Sequence, residues 1–235
     1  MPETQSPTIM EDPPGDERIV FTADEFEGTT PQRVKFTDVW QREEYALFRG
    51  CGVQAEIVYT TVTEDSKALE YNYLVERTAN TWNLNKKYNK VWGAYGTVRA
   101  LLGEFVYKPY ALTERNRECF GFSSEWDHPP DDPEHRPGKI LFGYFCANEG
   151  DKISEYRIEN LIQRIGIRGV TEAIRKRRGN RHGSGSGVAA TSADARLQTE
   201  AAVIGQGLSP SAETGNASFP FKFARHYEAG NGGFD

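Results

Sequence analysis

The sequence predicts a single α+β domain at residues 18–178, in which an antiparallel, aromatic-rich β-meander packs against two or three helices. Disordered segments are expected at both ends. Short stretches between residues 53 and 147 alternate large apolar and polar side chains, which is the period of a half-buried strand. Phe, Tyr and Trp make up 12% of the 235 residues, enough to build a core. Turn residues recur every ~8–12 positions and no long crossover helix alternates with a strand, which disfavours a parallel sheet.

The domain is predicted to begin with a strand and a helix. Residues 18–22 contain Ile, Val and Phe in succession and predict a short strand. The segment 38–49 is predicted to be helical, because Thr37 or Asp38 can cap its N-terminus and Gly50 can end it. Its large apolar residues are Val39, Trp40, Leu47 and Phe48.

Alternation then predicts a run of antiparallel strands. The segments are 53–59, 69–75, 82–92, 98–102, 105–109, 118–122 and 139–147. In the third of them, Lys86 and Lys90 interrupt the face that carries Trp82 and Trp92. Glycines at 93 and 96 predict the turn that follows.

The last elements are predicted to be helices. The segment 153–165 has Ser154 as a candidate cap and a compact apolar stripe, and Gly166 is placed to end it. The stripe consists of Tyr156, Ile158, Leu161, Ile162 and Ile165. A shorter amphipathic piece, 170–178, is predicted to run into a basic cluster.

Charge and composition predict that the segments at both ends of the chain are not part of the folded domain. Residues 1–30 contain eight acidic residues and one basic residue, whereas the whole chain has a net charge of −6. The acidic charge therefore belongs mainly to the N-terminal part, and we predict an acidic disordered arm at 1–17. Residues 179–218 are rich in Gly, Ser and Ala and predict a linker, because they cannot bury enough apolar surface to offset their ordering entropy. Residues 219–235 form an aromatic tail segment.

Two groups of residues in the C-terminal part are candidate binding residues. The basic group consists of Arg175, Lys176, Arg177, Arg178 and Arg181, and the aromatic group consists of Phe219, Phe221, Phe223 and Tyr227. The basic group can hold phosphates, or it can be a solvated helix terminus, where bases favour the helix dipole. It has no interleaved aromatic residues on which bases could stack. The aromatic group suits a short docking segment or an unstructured tail.

The three cysteines leave two alternatives open. No pair has C-x-x-C spacing, which disfavours a zinc knuckle or a redox motif. If Gly121 lies opposite Gly143, then Cys119 and Cys146 lie one residue out of register on paired strands, close enough to consider a disulfide. The other reading is three reduced thiols, which an odd count without a signal segment favours.

Catalytic and metal-binding signatures are weak. The segment 126–138 contains His128, His135 and several acids, but its spacing matches no ligand motif, so we predict no metal site and no cofactor. No nucleophile elbow, phosphate loop or dinucleotide fingerprint is present. Carboxylates at Glu104, Glu114, Glu118 and Glu125 could act in pairs, although nothing in the sequence singles out two of them.

Part of the chain resembles a known type of protein. The motifs are Gly103-Glu-Phe-Val-Tyr-Lys, Glu118-Cys-Phe-Gly-Phe-x-x-x-Trp-Asp and Pro137-Gly-Lys-Ile-Leu-Phe-Gly-Tyr-Phe-Cys-Ala. Over 103–167 they resemble small uncharacterised bacterial α+β proteins, often exported, with a Cys pair in a terminal hairpin followed by a helix. The resemblance implies an envelope-associated domain with a Cys119–Cys146 bridge, and it implies no activity. This chain differs in lacking a visible signal segment and in having long polar tails.

We therefore expect a non-catalytic binding or assembly protein that contacts a macromolecular partner, expected to be a protein, through its tails and aromatic surface. The alternatives are a small hydrolase-type enzyme with a carboxylate and His site near 104–135, and phosphate or nucleic-acid binding through 175–182. No stretch reaches the ~18 apolar residues of a membrane span. Without a visible signal peptide the default expectation is the cytoplasm, or the periplasm or envelope if the N-terminus is processed. The sequence does not predict the oligomeric state.

Overall fold

The computed structural model describes residues 17–37, 41–63, 69, 75–80, 82, 85 and 87–171. The predicted linker and aromatic tail segment lie outside these ranges, as do the five basic candidate residues and all but Glu17 of the acidic arm. Of the predicted helix 170–178, only residues 170 and 171 are described, and both are helical.

The described residues form ten strands and two α-helices. The strands are β1 (Ile19–Phe21), β2 (Gln32–Thr37), β3 (Gln41–Arg49), β4 (Gln54–Val62), β5 (Lys90–Trp92), β6 (Gly96–Ala100), β7 (Gly103–Leu112), β8 (Arg117–Trp126), β9 (Lys139–Cys146) and β10 (Ile165–Ile167). The α-helices are α1 (Val75–Ala79) and α2 (Glu155–Gln163), and single 3₁₀ turns occupy Asp24–Phe26 and Thr113–Arg115. Within these residues, no helix is long and apolar enough to cross a membrane.

Eight of the strands form one antiparallel sheet, as the alternation predicts. Their order is β2-β3-β4-β9-β8-β7-β5, and β6 pairs with β7 beside β5. The strands β2 to β4 follow one another as hairpins, and so do β7 to β9, but the two runs meet through the pairing of β4 with β9. The sheet therefore combines two short meanders rather than one continuous meander. β1 and β10 form a separate two-stranded ribbon.

Both faces of the sheet are covered, so the molecule has two cores. One face, here called the helix face, packs against α2 and the β1–β10 ribbon through Phe48, Phe105 and Phe145. The opposite face, here called the distal face, is covered by the chain between residues 69 and 88, and Trp82 lies in its core. The buried aromatic contacts of the helix-face core include the stacked pair Phe120–Phe145, whose ring centroids are 5.7 Å apart. Aromatic pairs of this kind add to the stabilisation from buried apolar area.

The predicted helix at 38–49 is wrong. Residues 41–49 form the strand β3, which pairs along its whole length with β2 and β4. Glu43 and Glu44 are residues that favour helices in isolation, but the strand buries consecutive residues on both of its faces. Pairing with two neighbours and burial on both faces override the local helix preference. Residues 38–40 lie outside the described ranges.

The predicted strands 69–75 and 82–92 are wrong in most of their described residues. Residues 75–79 form the helix α1, and Leu69, Trp82 and Asn85 have no strand structure. Only Lys90–Trp92, the strand β5, is extended and paired. Trp82 and Tyr88 therefore pack in the core of the distal face instead of extending the sheet, while residues 70–74 are not described.

The helix α2 and the later strands agree with the prediction, with boundaries moved by a few residues. The Ser154 hydroxyl accepts a hydrogen bond from the backbone N–H of Arg157 at 3.2 Å and caps α2. The predicted stripe residues Ile158, Leu161 and Ile162 are buried on α2, and Tyr156 is 77% exposed. The predicted helix end at 165–166 is wrong, because α2 ends at Gln163 and Ile165 and Gly166 belong to the strand β10. The stripe therefore positions α2 on the sheet as its spacing indicates.

Candidate functional site

The two predicted hairpin cysteines are joined. In the β8–β9 register Cys119 lies directly opposite Cys146, and Phe122 lies opposite Gly143, so the expected pairing of Gly121 with Gly143 is shifted by one residue. The sulfur atoms form a disulfide, and both residues are buried. Cys51 is exposed and free. The reading in which all three thiols are reduced is therefore wrong.

Two of the four exposed large hydrophobic side chains among the described residues lie at the sheet edge made by β5 and the residues after it, and the other two are Val106 on β7 and Tyr156 on α2. Val91 is 61% exposed and Tyr95 is 48% exposed, and Trp92 lies between them in the chain. The backbone N–H of Gly93 donates to the carbonyl of Pro109 at 2.8 Å. A Cβ at position 93 would lie 2.9 Å from the Pro109 ring, so the turn needs a glycine to hold this approach. We call the surface of Val91, Trp92 and Tyr95 the edge surface.

A lysine and a glutamate fix the aromatic rings of the edge surface. The Lys108 ammonium lies 4.2 Å from the centroid of the Tyr95 ring and 5.6 Å from that of Trp92. It also contacts a Glu76 carboxylate oxygen at 2.5 Å, and the Tyr95 hydroxyl donates to the other oxygen. Cation–π attraction and a charge-assisted hydrogen bond therefore hold Tyr95 in one orientation although it is exposed.

The electrostatics of the edge surface follow from these contacts. Desolvation and the neighbouring Glu76 raise the pKa of Tyr95 to about 12. Partial burial acts to raise the pKa of Glu76, but the hydrogen bonds from Lys108 and Tyr95 outweigh it and leave that pKa below its usual value. At neutral pH the edge surface therefore carries a neutral tyrosine beside a compensated ion pair.

A shallow pocket adjoins the edge surface on the helix face. Its volume is about 240 Å³, and its walls include Val91, Pro109, Ala111 and Ile153. Glu118 also lines it, but the carboxylate accepts from Lys152 at 2.6 Å and from the backbone N–H of Ile153 at 2.7 Å. These partners lower the pKa of Glu118 against the opposing effect of burial. The pocket is therefore mostly apolar, with its one carboxylate already compensated.

A second feature is a polar cluster under the cover of the distal face. The Glu56 carboxylate accepts hydrogen bonds from the Tyr45 hydroxyl at 2.6 Å and from the Tyr144 hydroxyl at 2.5 Å. The Gln54 amide donates to Glu56 at 3.0 Å and to the Tyr144 oxygen at 2.7 Å. Burial, together with Glu56, raises the pKa of both Tyr45 and Tyr144 above its usual range. We call Tyr45, Gln54, Glu56 and Tyr144 the tyrosine–glutamate cluster.

The groups proposed for an enzyme at 104–135 do not converge on one place. Glu118 and Glu125 lie near opposite ends of β8, and strand residues are spaced by about 3.3 Å, so the two carboxylates are far apart. Glu114 accepts from Asn89 at 2.7 Å, and Glu104 is exposed. Burial raises the pKa of Glu125, and the nearby His128 acts in the opposite direction.

Polar side chains in the loop between β8 and β9 also form hydrogen bonds and ion pairs with other residues of the protein. His128 Nδ1 lies 2.7 Å from the carbonyl oxygen of His135. The Asp132 carboxylate accepts from the backbone and guanidinium of Arg136, which lower its pKa. Asp127 pairs with Lys139. Within the described residues, no three His, Cys, Asp or Glu side chains are grouped as metal ligands.

Sequence reasoning missed the tyrosine–glutamate cluster. Glu56 lies in a strand whose other face carries Ala55 and Ile57, so alternation assigns it to solvent. It is only 8% exposed because the chain between 69 and 88 covers that face. The available signal was the number of tyrosines in the paired strands, since Tyr is often buried only with a partner for its hydroxyl.

Comparisons of the chain with protein-family models, with curated proteins and with solved structures found no match.

Proposed function

We propose that the protein is a non-catalytic binding protein that contacts a protein partner through the edge surface and through its terminal segments. The observation that carries the proposal is the sheet edge at β5, where Val91 is exposed and lines the apolar pocket and Tyr95 is exposed four residues later. Protein interfaces are enriched in aromatic side chains, and the residues that contribute most to binding are often Tyr and Trp in apolar surroundings.

The geometry of the edge surface supports recognition of a folded or extended polypeptide. Tyr95 and Trp92 are held in place by Lys108, so little side-chain entropy is lost when a partner covers them. β5 and β6 each pair on one side only within the described sheet, so their backbone groups can bind an added strand. The pocket volume of about 240 Å³ suits one apolar side chain of the partner rather than a complete small-molecule ligand.

The terminal segments are included in the proposal on the basis of composition. Residues 175–181 are strongly basic and residues 219–227 contain three Phe and one Tyr. Segments of this kind add affinity to a folded binding surface when they reach the same partner. A comparison of the full chain with a chain that ends at residue 182 measures how much the segment after that residue contributes to the binding affinity.

The experiment is partner identification followed by binding measurements on matched variants. The full chain is cross-linked in its host cell, the partner is identified by mass spectrometry, and its affinity is measured in purified form. We expect Val91→Ser with Tyr95→Ser to weaken binding by about tenfold or more, as expected when interface hot spots are removed. Tyr156→Ser is the control, because Tyr156 is the most exposed large hydrophobic residue described and lies on α2, outside the edge surface.

Both variants must keep the melting temperature of the parent. If the edge variant binds the partner as tightly as the parent does, the edge surface is not the interface. If the chain ending at residue 182 binds the partner with the affinity of the full chain, residues 183–235 do not contribute to binding.

A further inference from the structure

The Glu56 carboxylate is a shared acceptor for two buried phenols of the tyrosine–glutamate cluster. The Tyr144 hydroxyl donates to Glu56 Oε1 at 2.5 Å, and the Tyr45 hydroxyl donates to Oε2 at 2.6 Å. The Gln54 amide donates to the Tyr144 oxygen at 2.7 Å. Tyr144 is fully buried and Glu56 is only 8% exposed, so water competes little for these contacts.

This arrangement gives the phenolic proton of Tyr144 a place to go. A phenol that loses an electron becomes a strong acid, and it passes its proton to a base within hydrogen-bond reach. Glu56 is that base for Tyr144. Burial and the neighbouring Glu56 raise the pKa of Tyr144 above its usual range, so the phenol keeps its proton until an electron leaves.

We propose that Tyr144 is a site of one-electron oxidation, at which the phenolic proton moves to Glu56 as the electron leaves. The other reactant is a one-electron oxidant, such as an outer-sphere metal complex or an oxidising radical, and it is reduced by that electron. The O–H bond of Tyr144 breaks and an O–H bond forms on Glu56 Oε1. The products are a neutral tyrosyl radical and a neutral carboxylic acid, so the one negative charge that the pair loses is taken up by the oxidant.

The cluster supplies hydrogen bonds on both sides of this step. Once Glu56 Oε1 is protonated it can donate back to the Tyr144 oxygen, which also keeps the hydrogen bond from Gln54. Glu56 Oε2 still accepts from Tyr45. Because these buried polar groups keep their partners, the step carries no desolvation penalty for an unpaired group and needs little rearrangement.

The neighbouring aromatic rings lack such a base. Trp82 packs edge-on against Tyr144, with ring centroids 5.3 Å apart, and stacks on Tyr45 at 6.2 Å. The indole N–H of Trp82 and the hydroxyl of Tyr110 have no hydrogen-bond partner among the residues that the structure describes. An electron removed from Trp82 is therefore replaced from Tyr144, where the loss of the proton makes the oxidation favourable.

Aromatic rings also connect the cluster with the surface. Trp92 is half-buried at the sheet edge, and its ring centroid lies 4.8 Å from that of Tyr110. Tyr110 is on β7 and Tyr144 is on β9, with only β8 between them, so their strands are about 10 Å apart. An electron can therefore leave Tyr144 in short steps between rings. The inference does not rest on the proposed function, because no bound partner takes part in it.

The test oxidises the full chain with photogenerated tris(bipyridine)ruthenium(III) at neutral pH. Transient absorption and electron paramagnetic resonance distinguish a tyrosyl radical from a tryptophanyl radical. We expect a tyrosyl signal in the parent, and we expect Tyr144→Phe, which keeps the ring, to lose most of it. Tyr156→Phe is the matched control, because Tyr156 is 77% exposed and the same change there should leave the signal as it is in the parent.

A second measurement tests the role of Glu56 as a positioned base. Glu56→Gln keeps the size of the side chain and removes the base, so we expect the tyrosyl radical to form about a hundredfold more slowly. In the parent, formation should be slower in D₂O than in H₂O, since the proton moves with the electron. This isotope effect decides the question if either variant unfolds below the thermal midpoint of the parent.

Three results would overturn the proposal. The first is a parent that gives no tyrosyl radical, and the second is a tyrosyl signal in Tyr144→Phe as large as in the parent, which would place the radical on another tyrosine. The third is a parent that forms the radical at the same rate in D₂O and H₂O, or a folded Glu56→Gln that forms it as fast as the parent.

Discussion

The Cys119–Cys146 disulfide is expected to supply a large part of the stability of the fold. A cross-link lowers the conformational entropy of the unfolded chain, and its effect grows slowly with the length of chain that it closes. The two cysteines are separated by 27 positions in the sequence, for which the loop-entropy relation gives about 3.5 kcal/mol at 25 °C. Small domains have total stabilities of roughly 5–15 kcal/mol, so this is a substantial fraction.

The assay compares the oxidised and reduced forms of one polypeptide, which avoids any change of side-chain volume. Both cysteines are buried, so the bond has to be reduced in denaturant before the protein is refolded. Guanidinium unfolding of each form, followed by tryptophan fluorescence, then gives the difference in unfolding free energy. The background is Cys51→Ser, which removes the exposed free thiol and prevents disulfide exchange.

Two results would refute this reasoning. Alkylation of the unreduced parent, which keeps Cys51, should label only that cysteine in denaturant, and labelling of all three cysteines would show that the bond is absent. A difference in unfolding free energy below about 1 kcal/mol would show that the bond adds little, since native hairpin contacts in the unfolded ensemble can already restrict the same loop.

Two further predictions concern the distal face. Folding raises the pKa of Tyr45, Tyr110 and Tyr144, so the free energy of unfolding is highest below pH 10 and falls as the pH rises above it, by about 1.4 kcal/mol per pH unit for each tyrosine. Urea unfolding between pH 8 and pH 12 should show this loss. A midpoint that does not change with pH would contradict it. Gly121→Ala should destabilise the domain by about 1 to 3 kcal/mol, because the new Cβ would lie 2.6 Å from Val75 Cγ1 of α1; a variant with the thermal unfolding midpoint of the parent would show that α1 does not pack there.

The parts of the fold that alternation predicts correctly are those with a simple burial pattern. In β7, the residues from Gly103 to Tyr107 alternate between exposed or half-buried and buried, and the period of two is visible in the sequence. In α2 the apolar residues lie on one stripe with a cap at Ser154, and the helix follows. For such elements the local pattern and the tertiary environment agree, so the sequence alone is sufficient.

The errors come from the parts of the chain where both sides are buried. β3 contains the consecutive buried residues 45–48, because its two faces meet two different cores. A continuous apolar run of this length is compatible with a helix or a strand, and the neighbouring Glu43 and Glu44 favour the prediction of a helix. The strand is decided by its pairing with β2 and β4, and the sequence of β3 alone does not contain this information.

The candidate site was only partly predictable for the same reason. The exposed aromatic character of the edge surface can be suspected from Trp92 and Tyr95 beside glycines, but its fixed orientation depends on Lys108 and Glu76. Lys108 lies on another strand, and Glu76 lies on α1, a helix that the alternation did not predict. Of the buried partners of Glu56, Tyr45 lies on the neighbouring hairpin strand, whereas Tyr144 lies 88 residues away in the sequence.

Coverage of both faces also explains where the exposed apolar side chains and the buried polar side chains of the sheet lie. A sheet that is exposed on one face can bind a partner there, whereas the central strands of this sheet lie between α2 and the chain at 69–88. Side chains that remain accessible on the described sheet therefore concentrate toward its margins, where Val91 and Tyr95 lie. Polar groups that the cover encloses must be satisfied inside, and Glu56 is satisfied by two tyrosines and a glutamine. A variant in the edge surface should therefore leave these buried hydrogen bonds intact.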